Sequence, residues 1–143
     1  KNLEGCERIL FFAATLGGGA DLLTQKCGRI RMSRGVVLQA AAAACIEACC
    51  DRENARLKLE YEKKGWFMRP RFSPGYGDFS LECQKGILGA LEAGKRIGLT
   101  LTDSLLMAPS KSVTAVIGLS RIPGGCTVKG CEACGKSDCA YRR

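Results

Sequence analysis

Hydrophobic and polar positions repeat with different periods along this chain, and each change of period marks an element. In "GCERILFFAATLGGG" a short unbroken apolar run predicts a buried strand over residues 9–14, closed by a glycine turn. Gly17, Gly18 and Gly19 read as a tight turn; a phosphate cradle before a following helix is the alternative, although the spacing fits neither a P-loop nor a dinucleotide fingerprint. From "SRGVVLQAAAAACIEACCDRENARLKLEYEKKGW" the pattern predicts one long helix, with Ser33 as N-cap and Gly65 just past its end behind Lys63 and Lys64. Its first half is apolar almost all round and is therefore expected to be buried. Glu47 interrupts that apolar run, so it either reaches a rim or has a cationic or hydrogen-bonding partner, since an unpaired buried charge is too costly.

"WFMRPRFSPGYGDFS" reads as a connection whose course is fixed by prolines and glycines. Ser80 then caps a second predicted helix, "LECQKGILGALEAGKRIG", with Ile87, Leu88, Leu91 and Ile97 facing inward and Gly98 at its end. The β-branched alternation of "SVTAVIGL" predicts a strand, fed by a turn at "MAPSKS". Two strong helices and a small, mainly antiparallel sheet make the expected fold class α+β. No internal repeat is visible.

Composition sharpens this picture in three places. The 143 residues suffice for one domain with a real core, and neither "ILFFAA" nor "AAAAACI" approaches a membrane span of roughly 20 apolar residues, so no membrane partner is expected. The absence of an initiator Met and of a signal-like start predicts a processed or truncated chain with residues missing upstream. The formal charge of +8 gathers in small clusters at Lys63, Lys64, Arg69, Arg71 and at Arg142, Arg143, without the interleaved aromatics of a nucleic-acid surface. An anionic ligand or an acidic protein partner fits it better than nucleic acid. Ten cysteines and no histidine complete the balance. Cys45, Cys49 and Cys50 fall in an Ala-rich helix and, with Cys6, Cys27 and Cys83, read as small core hydrophobes of a protein in a reducing cytoplasm.

The candidate chemistry lies in "RFSPGY". Arg71 offers a planar fork suited to a carboxylate, Tyr76 a flat face and a hydroxyl, and Pro74-Gly75 a stiff bend that lets backbone approach a ligand. With Glu47 on the same cavity the set suits an amino-acid-like ligand that carries a ring; an arginine-rich surface loop is the competing reading.

"RFSPGY", together with "GLTLTDSLLMAPSKSVTAVIG", resembles the reactivation domain of cobalamin-dependent methionine synthase, and more closely the stand-alone activation subunits of that system. Arg71, Gly75 and Tyr76 occupy the places of its Arg-x-x-x-Gly-Tyr motif. Gly98, Leu101, Thr102, Ser104, Met107, Pro109, Ser112 and Val113 occupy those of the second motif. "AACIEACCD" is similar to the family helix that carries a ligand-contacting glutamate, here Glu47, and the similarity runs over roughly residues 10–119. The resemblance implies that residues 1–120 bind S-adenosyl-L-methionine: Arg71 would hold its carboxylate, Tyr76 would line the site, and Glu47 would address its polar groups. It also implies a partner, a corrinoid-binding methyltransferase domain or subunit whose cobalamin receives the methyl group with one electron from a donor protein. No catalytic general base is then needed, and the lack of histidine is no obstacle. The chain departs from the large methionine synthases in continuing with "GDFS" after Gly-Tyr, and in offering no secure counterpart to their upstream acidic contact.

The tail, residues 121–143, is separate chemistry. Cys126, Cys131, Cys134 and Cys139 are spaced C-x4-C-x2-C-x4-C among glycines, a set able to wrap one tetrahedral ion. Zinc and an iron–sulfur cluster fit about equally: the spacings of the first three cysteines match a plant-type ferredoxin loop, whose fourth cysteine lies further away. Free or disulfide-forming thiols are the remaining reading. A cysteine-ligated redox or structural module is thus the alternative function.

Overall fold

The computed structural model of the protein describes residues 3–123. In chain order it contains β1 (Arg8–Thr15), α1 (Gly18–Ile30), α2 (Met32–Glu62), β2 (Phe67–Met68), α3 (Cys83–Ala90), α4 (Ala93–Ile97), β3 (Thr100–Leu101), β4 (Met107–Ala108) and β5 (Ser112–Ser120). Helices packed on small antiparallel sheets make it α+β, in agreement with the sequence pattern.

The main sheet has the order β1-β5-β2, with β5 in the middle. β1 pairs antiparallel with β5 from Arg8 opposite Leu119 to Thr15 opposite Ser112. A central strand covered on both faces needs apolar or small residues at nearly every position, and β5, "SVTAVIGLS", supplies them: Val113 is its one position that is not fully buried. Successive β1 side chains point to opposite faces. Phe12, opposite Ala115, joins a core with Ile117 and with Ile46 and Cys50 of α2. Ala13 packs instead with Leu88, Ala93 and Leu99 of the α3–α4 side. β3 and β4 form a separate hairpin, Thr100 opposite Ala108.

Several expectations are corrected. The long helix starts at Met32, directly after the extended residue Arg31, so Ser33 lies inside its first turn and does not cap it. Gly65 does follow its end, with a positive φ of 71°. Within the second predicted helix the chain breaks at Glu92, which adopts the left-handed conformation, giving α3 and α4 in place of one helix. That uncommon conformation for a non-glycine residue goes with the near-complete burial of Ala93 beside it. The break also rotates Ile97 outward, to 41% exposure, whereas Ile87 and Leu88 are buried and Leu91 half-buried. Gly98 terminates α4 with φ 67°, as expected.

The largest correction concerns the first half of α2. It is not buried: Val36, Val37, Ala40, Ala41, Ala43, Ala44 and Cys45 are exposed, because α1 covers only the side of the helix that carries Gly35, Leu38 and Ala42. Among the described residues α2 is also the one helix long and apolar enough, by length and composition, to cross a membrane. The cysteines follow the same correction. Among the described cysteines Cys50 alone is buried, Cys6 and Cys27 are intermediate, and Cys45, Cys49 and Cys83 are exposed, all six of them free thiols.

Candidate functional site

The site is built where the chain after β2 rejoins the sheet. Phe72 exchanges two backbone hydrogen bonds with Val116 of β5, donating at 2.9 Å and accepting at 2.8 Å. With Phe72 pinned on one face, its neighbour Arg71 is directed to the other, toward α2. There its side chain is only 16% exposed. It donates to Asp51 Oδ1 at 2.6 Å, and its nearest approach to Glu47 Oε2 is 3.6 Å. The guanidinium also lies 5.9 Å from the centre of the Phe12 ring, and its charge acts on the Cys50 thiol. Glu47, Cys50 and Asp51 stand three and four residues apart, the spacing that brings helical side chains onto one face.

The electrostatics follow from this placement. A half-buried cation is offset by two carboxylates whose outer sides remain in water, at 63% and 74% exposure. Burial pushes the Cys50 thiol above its ordinary pKa; Arg71 opposes that shift and the Glu47 carboxylate adds to it.

The bend itself is compact. Pro74 is buried, Gly75 has φ 91°, and its N–H donates to Phe79 O at 2.8 Å. The Phe72 and Phe79 rings stack at 6.0 Å, so the bend is held from below. A Cβ at Gly75 would meet Leu81 Cδ1 at 3.3 Å and would sit on backbone that disfavours any side chain.

Of the residues singled out in the sequence, Arg71 and Glu47 are thus brought together, and Gly75 shapes the adjoining bend. Tyr76 is not brought in: it is 69% exposed, on the outer side of the bend. Asp51 is the residue that sequence reasoning missed. Its signal was present, since it follows Glu47 by one helical turn in "EACCD", but an acid at the start of a charged stretch reads as a surface residue. At the glycine turn, Gly17 N–H donates to Thr15 Oγ1 at 3.0 Å, and Asp21 in the first turn of α1 accepts from Ser110 N and Oγ at 2.7 and 2.6 Å. Gly17 enters α1 with φ 78° and Gly18 and Gly19 are the first residues of the helix, so the glycines open a helix and do not form a separate tight turn; no side chain caps that helix start. Cys126, Cys131, Cys134 and Cys139 lie outside the described residues, among which no cluster of three or more metal-ligating side chains occurs.

No protein-family model matches the chain, and no curated protein does. What fold and geometry define is an α+β domain with an arginine held by two acids of one helix, beside a rigid proline–glycine bend.

Proposed function

We propose that the chain binds S-adenosyl-L-methionine and acts as an activation protein for a corrinoid-dependent methyltransferase, with methionine synthase as the first candidate. The observation that carries this reading is the meeting of Arg71 with Glu47 and Asp51, residues far apart in sequence, beside the "SPGY" bend. The donor set suits the ligand's charges. One guanidinium faces the amino-acid carboxylate, and two carboxylates face the ammonium and sulfonium, so a site with one negative charge to spare meets a ligand with one positive charge to spare. Binding exchanges partners: Arg71 turns from Asp51 to the ligand carboxylate, and the freed acids take the ammonium. Both acids are exposed on their outer sides, so the exchange needs no opening of the core. Tyr76 would line the outer wall only after a rotation of its exposed side chain toward the bend.

Such a ligand supplies a methyl group on sulfur; the acceptor implied is the cobalt of a corrinoid held by a partner, which takes up the methyl together with one electron from a donor protein. This chain's own residues bind and orient, and none of them has to move a proton. A cytoplasmic setting belongs to the same reading. Isothermal titration with S-adenosyl-L-methionine tests it, on the wild type, Arg71→Ala and Asp51→Asn. The expected result is measurable binding by the wild type, weakened more than about tenfold by Arg71→Ala, a charge-assisted contact being lost. No binding by the wild type, or equal binding by all three proteins, sinks the proposal.

A further inference from the structure

The α1–α2 hairpin carries a surface that the proposed ligand site does not use. Arg31 is its single turn residue, and the two residues beside it, Ile30 and Met32, are 78% and 81% exposed. Leu22 and Leu23 of α1 and Val36 and Val37 of α2 extend the apolar surface down both helices, each more than half exposed. An apolar surface of this kind on a soluble fold marks an interaction site.

Charge identifies what it meets. Lys26, Arg29, Arg31 and Arg34 are all exposed around the same tip, and not one acidic residue occurs between Asp21 and Glu47. None of the four makes an ion pair among the described residues. An open, largely apolar depression of about 370 Å³ lies at the tip, with Cys27, Val37 and Leu38 among its walls and Arg31 and Arg34 at its border. Apolar side chains at the very end of a hairpin, ringed by unpaired cations, suit a fluid apolar layer beneath a negatively charged surface. A protein groove would be matched by one stripe on one helix; here the apolar residues belong to both helices, on either side of Arg31.

The geometry points to the α1–α2 tip as a docking element for anionic lipid bilayers. Ile30 and Met32 enter the boundary between headgroups and acyl chains, and Lys26, Arg29, Arg31 and Arg34 sit among the lipid phosphates. The helix lies on the membrane and does not cross it, because Ile46 and Cys50, midway along α2, are packed into the sheet core. This adds a membrane surface where the sequence suggested none, and it is independent of the ligand reading.

The test is co-sedimentation of the full chain with vesicles of phosphatidylcholine alone or mixed with phosphatidylglycerol, at low and high salt. Each cation near an anionic leaflet strengthens attachment roughly fivefold. The expected result is binding at least about tenfold tighter to the mixed vesicles, weakened by salt. It is lost in Arg31→Glu/Arg34→Glu and in Ile30→Glu/Met32→Glu. Circular-dichroism melting checks that both variants stay folded, and the single change Met32→Glu replaces any double variant that does not. Equal binding to both vesicle types, no binding, or binding untouched by the apolar substitutions overturns the inference. So does self-association without vesicles that the same substitutions abolish, which would give the surface to a second copy of the chain.

Discussion

The two halves of α2 belong to one unbroken helix and solve opposite problems. From Ile46 onward the helix is amphipathic: Ile46, Cys50 and Leu57 face the sheet core, while Glu53, Arg56, Glu60 and Lys64 lace the solvent side with ion pairs three and four residues apart. Before Ile46 the helix has apolar residues on nearly every side but only a narrow stripe of contact, where Gly35 meets Gly28 of α1. The more hydrophobic half is therefore the less buried one. Apolar composition states what a segment can bury, and the neighbours available decide what it does bury.

Matched substitutions in the two halves give the largest contrast. Ile46→Ala removes a side chain that is 5% exposed and leaves a cavity against Ala115 and Ile117, at an expected cost of about 2–5 kcal/mol. Val37→Ala, in the outwardly more apolar half, is expected to stay within about 0.5 kcal/mol, since Val37 is 66% exposed. Urea unfolding of both variants reads the difference; equal destabilisation would mean that the first half of the helix is covered in solution.

A smaller contrast lies within the α1–α2 contact. A Cβ at Gly35 would stand 2.7 Å from the Gly28 Cα, a backbone atom that cannot swing aside, whereas a Cβ at Gly28 would find its nearest neighbour at 3.8 Å. Gly35→Ala is expected to force the helices apart and cost about 1–3 kcal/mol, as overpacking does. Gly28→Ala is expected to be neutral or to stabilise by up to about 1 kcal/mol through helix propensity. Thermal melts of the two variants give opposite signs if α1 docks as described, and the same sign if the hairpin is loose.

What could be read from the sequence follows the same division. β1 and β5 were legible because strand pairing around a central, doubly covered strand leaves a continuous apolar run. The end of α4 was legible from Gly98, whose left-handed conformation is the reason for a glycine there. The break at Glu92 was not, because nothing in a glutamate announces a positive φ; it is imposed by the packing of Ala93. The helical continuation of "GGG" into α1 was also not assigned, its leucines facing outward and giving no core stripe. At the site, the misfit of an acid in an apolar run called for a rim position or a cationic partner, and Glu47 has both, being 63% exposed and 3.6 Å from Arg71. Asp51 stayed hidden because its own surroundings in the sequence are charged, and only the path of the chain after β2 brings the arginine to it.

The smallest effect expected concerns pH and Cys50, the one described cysteine that behaves as a core residue. Cys50 has no exposed surface, and burial raises its thiol pKa, with Glu47 adding to the shift and Arg71 opposing it. In the unfolded chain the thiol titrates near its ordinary value of about 8.5. Between that pH and the higher folded pKa, the folded state holds more protons than the unfolded one, so stability falls as pH rises. Below about 8.5 the contribution of the neutral buried thiol is fully present. The wild type is therefore expected to lose stability relative to Cys50→Ala as pH rises from neutral into the alkaline range, measured as a narrowing gap between their urea midpoints. Arg71→Ala should steepen the loss, because the guanidinium is the group that favours the thiolate; subtracting the Arg71→Ala/Cys50→Ala double variant at each pH isolates the thiol from lysines and tyrosines that titrate nearby. A slope unchanged by Arg71→Ala would mean that the guanidinium does not reach the thiol in solution, and would separate the acid–arginine cluster from the core half of the helix against which it is built.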